Sequence, residues 1–559
     1  MACEMNASES SSVLRFPNFR FPGFKLQIRR GSFSWKILTI LCCLTGVVSA
    51  DQLGDFTYTE NVASITITRC ATTATGAVVV PATIVGKPVT AIANSAFQAC
   101  TGLTGVTIPV GVTSIGTSAF LGCSGLTSMT IPYGVTSLGT YTFYNCTALQ
   151  SVSLPSSLIS VGIYAFYNCI ALESVSLPMG VTTISAQAFY RCKGMTSVTI
   201  PSSVTTIGDG AFYSCGALTS VVIPSGVTSI GFGTFESCSV LTSVTIPSTV
   251  TSIGQQAFRY CNGLTSVTIP SSVTSIGVSA FFNCKGLTSV AIPASVTNIG
   301  TFAYANCSAL TSISVDPANP NFSSVNGILA NKAQTMLITC PAGVAGDCTI
   351  PSGVTGIGNA AFANCSKLVS VTLPVTLASM GNQAFSNCGA LMHASFTGDA
   401  PTMGSNVFEL TATGFAVFYS STSNGFTSPV WVGYPAFNLG DSGTMVAVWL
   451  LSRGLAPMTD LQSDLNGDGV NLLMAYALNL DPYQNLSKAV PQPVFATDQM
   501  SLSFYAGALG VTYVVEASTD MVNWSSEGVA LSLPDANQIR TAVVNRSGTN
   551  TFMRLAVSH

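Results

Sequence analysis

Oxygen-bearing side chains at alternating positions mark the first place where this 559-residue sequence could do chemistry. Asp464-Leu-Asn466-Gly-Asp468-Gly469 sets carboxylate or amide oxygens at positions one, three and five and glycine at six. That spacing suits a hard cation such as calcium. Position twelve, where a bidentate glutamate would close the shell, is Ala475. Two readings stay open: a calcium site at Asp464, Asn466 and Asp468 with Asp481 supplying an oxygen, or a turn held by its own Asp and Asn chemistry. No other cofactor is implied.

Cysteine is the second candidate. Cys100, Cys123, Cys146, Cys169, Cys192, Cys215, Cys238, Cys261, Cys284 and Cys307 follow one another at 23-residue steps, and Cys365 and Cys388 repeat the interval. Metal binding does not suit them: no C-x-x-C pair occurs, and the only histidines are His393 and His559. Side chains in one column of stacked coils point the same way, so a ladder of buried thiols is expected rather than disulfides. Cys340 and Cys348 stand outside the column. They are the disulfide candidates of an exported chain.

Binding has two candidate surfaces. Tyr144, Tyr167, Tyr190 and Tyr213 recur at 23-residue steps, one residue after a repeated Phe. Such a row could meet sugars or protein through ring area and hydroxyl tips, or its members could simply pack on one another. Ser197/Thr199, Ser243/Thr245 and Ser266/Thr268 form a regular outward hydroxyl array. Catalysis finds no support. His393 takes an outward Ser position, no Ser-His-Asp or Cys-His set is assembled, and the acids Glu173, Asp209 and Glu236 are scattered singly. No phosphate loop occurs.

These residues need a frame, and the period supplies it. The unit Leu264-Thr-Ser-Val267-Thr-Ile269-Pro270-Ser-Ser-Val273-Thr-Ser-Ile276-Gly277-Val-Ser-Ala280-Phe281-Phe-Asn-Cys284 predicts a short strand with Val267 and Ile269 inward and Ser266 and Thr268 outward. Pro270 ends the ladder, Val273 and Ile276 add a second inward pair, and Gly277 is expected to permit a sharp turn. Ala280 and Phe281 close the coil. One such coil cannot bury its apolar edge; stacked coils can. Hydrophobic residues at 48% with only 7% charged fit such a solenoid, since ordinary soluble domains carry about 25% charged residues. Net charge is −3 with no basic stripe, which excludes nucleic acid as a partner.

The L-T-S-V-T-I-P…V-T-S-I-G-x-x-A-F-x-x-C unit resembles the BspA-like (treponemal) class of bacterial leucine-rich repeats. The resemblance covers residues 84–396, with longer variant units around Asp316–Asn321 and Val325-Asn-Gly-Ile328. It implies a repeat solenoid of 23-residue units with short parallel strands. Residues 51–83 are expected to be an N-terminal cap and 397–440 a C-terminal cap. Residues 441–490 read as a helical segment holding the calcium-loop-like turn, which resembles the opening of an EF-hand or dockerin loop. Residues 491–559 read as a β-sandwich-like module, and residues 441–559 together resemble a C-terminal module on secreted proteins of environmental bacteria.

Residues 1–50 read as an extension and signal peptide. Arg29, Arg30 and Lys36 precede an apolar run from Ile37 to Val48, and Val48-Ser49-Ala50 is a cleavage site. Roughly 12 apolar residues are too few to span a bilayer, which needs ~20, so the membrane is met only through this segment. The expected protein is secreted or cell-surface and non-catalytic, and the resemblance implies adhesion to extracellular protein or glycan. The alternatives are a passive envelope component, or ice or polysaccharide-lattice binding by a flat Ser/Thr face. Oligomeric state is not legible.

Overall fold

The computed structural model describes residues 50–440, 444–457, 459–546 and 551–558. Residues 1–50, read as an extension and signal peptide, lie outside these residues except for Ala50, and so does His559. Among the described residues no helix is long and apolar enough to cross a membrane.

From about residue 90 the chain winds into parallel coils, each paired with its neighbour at the 23-residue step. Ser243–Thr245 lies beside Ser220–Val222 with Ser220 facing Ser243. The two-residue strands Ser229–Ile230, Ser252–Ile253, Ser275–Ile276 and Asn298–Ile299 form one small sheet. Within a coil Leu264, Val273, Ile276, Ala280 and Phe281 are fully buried. The Pro270 carbonyl accepts the Val273 amide at 3.0 Å, so proline begins a turn as well as ending a strand. The Ser before the Val of this turn ties coils together: Ser272 Oγ donates to the Val250 carbonyl at 2.6 Å and Ser295 Oγ to that of Val273 at 2.7 Å.

The turn carrying Phe and Cys differs from expectation in its backbone. Gly277 does not adopt positive φ; a Cβ built there would lie 2.4 Å from the Gln255 amide nitrogen of the previous coil. Its role is close approach between coils. The left-handed positions are Ser279 (φ 54) and Asn283 (φ 60), and the same two places recur coil after coil, as at Tyr164 and Asn168. Asn suits that conformation because its short amide can bond locally. Here it also bonds between coils, Asn168 Nδ2 donating to Asn145 Oδ1 at 2.9 Å.

One further expectation changes. The segment 264–270 forms no strand, although Val267 and Ile269 are buried and Ser266 and Thr268 exposed as the alternation requires. This leaves a gap between Ser243–Thr245 and Ser289–Ile292, and the strand face as a whole runs as short sheets: Leu103–Thr107 with Ser128–Thr130 and Ser151–Ser153, then the pairs beginning at Ser174, Ser220 and Ser289. Cys340 stays outside the cysteine column and takes the backbone place of the repeated Phe: it follows the strand Met336–Thr339, and its amide bonds the Ala361 carbonyl at 2.6 Å as that of Phe362 bonds the Ala384 carbonyl at 2.7 Å. Its thiol and that of Cys365 share the Pro341 carbonyl, at 3.7 and 3.8 Å.

Antiparallel strands close the stack where parallel coils would leave an open end. Ala50–Leu53, Phe56–Glu60 and Ile65–Cys70 form a meander, and Phe56 meets Phe97 edge-on at 6.0 Å. At Phe322–Val325 and Ile328–Asn331 a hairpin interrupts the stack, turning at Asn326 and Gly327, both with positive φ. The buried core divides near this hairpin. A second hairpin, Val430–Trp431 with Tyr434–Asn438, covers the last coil and buries Trp431.

Beyond it lie helices α1 (Thr444–Ser452) and α2 (Leu472–Ala477), the latter capped by Asn471, whose side chain accepts the Met474 amide. A four-stranded antiparallel sheet and the pair Thr512–Ser518 with Phe552–Ser558 follow. Leu502, Phe504, Ala542, Val515 and Met553 from the two sheets share one core, which makes this region a sandwich.

Candidate functional site

The inner column fixes the spacing of everything on the surface. Phe97 through Phe281 and Tyr304 stack with ring centroids 4.9–5.5 Å apart. Cysteine serves the same stack: each thiol from Cys123 to Cys307 donates to the carbonyl of the Phe one coil back, at 2.9–3.2 Å. Burial pushes the thiols from Cys123 to Cys284 up, Cys123 and Cys238 to about 12, so these eight stay protonated at neutral pH and are poor nucleophiles. Cys340 and Cys348 are free thiols, the first buried and the second half-buried.

One residue outward, Tyr144, Tyr167, Tyr190 and Tyr213 stack face to face at 4.4–4.7 Å with planes within 8° of parallel. The inner faces of the row are therefore used on one another, and only the two end rings, Tyr144 and Tyr213, keep a face outside the stack. Tyr141 and Tyr164, three residues earlier in their coils, form a second stack at 4.9 Å and cover Tyr144 and Tyr167 edge-on. Burial raises Tyr190 to about 12, with the neighbouring tyrosines adding to the effect.

The covering column changes past Tyr164 and the outer column past Tyr213. The outer column continues as Glu236, Arg259 and Phe282, and the covering column reads Gln187, Gly210, Gly233 and Gln256. Glu236 is therefore not a solitary acid. Its side chain is buried and accepts Arg259 Nη1 at 3.3 Å, while Arg259 Nη2 donates to the Tyr260 hydroxyl at 3.2 Å. The guanidinium lies over Tyr260 and Phe282, 4.6 and 5.4 Å from their ring centres. Burial raises the Glu236 carboxyl and Arg259 opposes the rise. Without side chains at Gly210 and Gly233, a notch of about 310 Å3 opens over Tyr213 and Glu236. The alignment at 23-residue steps carried this signal: glycine replaces the covering side chain in the last tyrosine coil and in the next, where Glu236 begins the charged pair.

The hydroxyl array is exposed at Ser197, Thr199, Ser243, Thr245, Ser266 and Thr268. The breaks between sheets mean that it is not one continuous lattice. A hollow of about 420 Å3 lies beside Thr268, floored by Val267, Ile269 and Ile292, but it lacks a charged pair or aromatic face. Neighbouring Thr residues are consumed by the fold, Thr242 Oγ1 donating to the Thr219 carbonyl at 3.0 Å.

The strands do align Asp347, Ser370 and His393 side by side. Ser370 donates to Asp347 at 2.5 Å rather than to His393, whose Nδ1 is buried without a partner. Serine lies between the other two, the wrong order for a histidine base. In the Asp464 loop, Asp464 accepts the amides of Gly467 and Gly469 at 2.9 and 2.7 Å. Asn466 accepts that of Asp468, and Asp468 those of Val470 and Leu486. These amides hold the Asp468 carboxyl low, Leu486 foremost. Ala475, at the twelfth position, is buried in α2. Among the described residues no group of three or more His, Cys, Asp or Glu could hold a metal.

The pattern described as BspA type Leucine rich repeat region matches residues 90–218, 205–326 and 345–424, more than half of the chain. The unmatched stretch between the second and third falls at the interrupting hairpin. A leucine-rich repeat protein from Bacteroides ovatus is similar at 26% identity over 70% of this chain and 99% of its own, with a TM-score of 0.55. A leucine rich cell surface protein from Faecalibacterium prausnitzii shares 28% identity over 63% of this chain and 79% of its own, TM-score 0.32. The Treponema pallidum Leucine Rich Repeat protein shares 29% over 43% and 91%, TM-score 0.29. No curated protein matches. With the coil geometry and this repeat pattern in agreement, the chain belongs to the BspA-type leucine-rich repeat family.

Proposed function

We infer that the protein is an exported, non-catalytic recognition module that attaches to extracellular protein or glycan at the cell surface. The observation that carries this reading is variation confined to the surface of a constant frame. Phe and Cys repeat coil after coil, whereas the next residue outward passes from four tyrosines to Glu236, Arg259 and Phe282. A repeat scaffold that varies only in its outward columns suits binding. Membership of the BspA-type family supports it, and residues 29–50 support export.

The face-to-face tyrosines favour a second reading for their own part of the row, in which stacking rather than contact is their role. Retention of the full chain on immobilised extracellular-matrix glycoproteins at moderate and raised salt separates the two. Specific, saturable retention supports recognition. Its absence on every surface would leave a passive envelope component.

A further inference from the structure

We propose that the notch between Gln187 and Gln256 binds one neutral pyranose unit of an extracellular glycan. This rests on the recognition reading above and names its ligand class.

The notch exists because of two glycines. Residues of the covering column all adopt positive φ, from Tyr141 (59°) to Ser279 (54°), and most carry a side chain despite the strain. Gly210 and Gly233 adopt the same angles, 61° and 55°, so the fold does not require glycine there. What their lack of a side chain provides is space above Tyr213, whose ring carbon would lie 3.9 Å from a Cβ on Gly233. Tyr190 covers one face of Tyr213 at 4.4 Å. The next coil brings Glu236 instead of a further ring, so the outer face is not consumed by stacking.

The polar groups match a polyol. Glu236 accepts a single side-chain donor, Arg259, and a carboxylate has about four acceptor sites, so adjacent hydroxyls can share what remains. Arg259 lines the same space with Nε buried and unpartnered. Gln187 and Gln256 offer both donors and acceptors from the two walls, and half-exposed Phe232 forms an apolar rim. Glu236 and Arg259 cancel in charge, which disfavours an anion or a cation. At about 310 Å3 the space is at the lower end of ligand pockets, right for one ring and too small for a folded element of a protein.

Full-chain protein probed on an array of neutral gluco-, manno-, galacto- and N-acetylhexosamine oligosaccharides, followed by calorimetric titration of those retained, tests the assignment. Gly233→Gln copies the residue that neighbouring coils carry at the same angle, as Gln187 and Gln256 do. It should fill the notch, keep cooperative unfolding and weaken binding by about tenfold or more. Glu236→Gln should also weaken it, and serves if the first variant does not fold. Equal affinity in a folded variant overturns the assignment, and so does an array with no binding. If the array is silent but matrix protein stripped of glycan is still retained, the notch proposal falls and the recognition reading stands. If neither is retained, both fall.

Discussion

Phe189 and Tyr190 are neighbours in the chain and members of two stacks that run side by side at nearly the same spacing. The inner stack tolerates almost nothing: it stays aromatic from Phe97 to Tyr304, its rings are buried, and Phe56 closes its first end. The outer stack lasts four coils and then gives way to an ion pair. Burial explains the difference. Deleting an inner ring leaves a void between two others, whereas the outer column can change residue type because solvent fills what a side chain vacates. The outer column is thus where this frame can hold specificity.

Breaking the inner stack should have the largest effect. Phe189→Ala removes a fully buried ring from between Phe166 and Phe212, and a loss of about 3–5 kcal/mol is expected, read by urea unfolding. A loss close to that of an exposed tyrosine would mean the coils collapse onto the vacancy. Gly277→Ala probes the frame itself. Its Cβ would meet backbone at 2.4 Å, and backbone cannot rotate away, so about 1–3 kcal/mol or more should be lost. A benign Gly277→Ala would refute close approach as the reason for that glycine.

The outer stack should respond less. Tyr167→Ala deletes two stacked contacts on a half-exposed ring, each worth roughly 0.5–1.5 kcal/mol when well buried. About 1 kcal/mol is expected, with cooperative unfolding preserved. Binding by a folded Tyr167→Ala, Tyr190→Ala chain then shows whether the row contributes contact: unchanged retention would leave the tyrosines a packing role only.

How much of this was legible depends on whether a residue's role follows from its own column. Cys284 repeats unchanged from coil to coil, and Phe281, Val273 and Ile276 stand in columns that stay apolar or aromatic, with Tyr304, Leu158, Leu138 and Val161 as the substitutes, so their burial could be read directly. Gly277 could not be, because a glycine wanted for space and one wanted for positive φ look alike in sequence. Cys340 is outside the 23-residue column in sequence and in the fold, but its place under Phe362, where other coils carry Phe, could not be read because the hairpin insertion shifts its spacing. The Glu236–Arg259 pair was missed by reading acids one at a time along the chain; at 23-residue steps they are neighbours. The segment 264–270 carries the same residue types as the strand-forming coil before it, Val244 to Val267 and Ile246 to Ile269, so residue type does not encode its missing strand.

The smallest effect sharpens the same contrast at a position that is neither inside nor out. His393 occupies the strand position of Ser370 in the preceding coil, and it is drawn half under Phe418, whose ring it meets edge-on at 5.8 Å. Burial holds its pKa below the ordinary value of 6.5, with Asp347 opposing. The unfolded chain therefore takes up the proton first as pH falls. Stability from the neutral, buried ring is complete above about 6.5 and is lost as pH drops through the lower folded value. His393→Ser, which restores the residue of the preceding coil, should flatten the fall in melting temperature between about pH 7 and pH 5. An unaltered slope in that variant would assign the acid sensitivity to other groups and leave His393 a surface residue in energetic terms, despite its buried nitrogen.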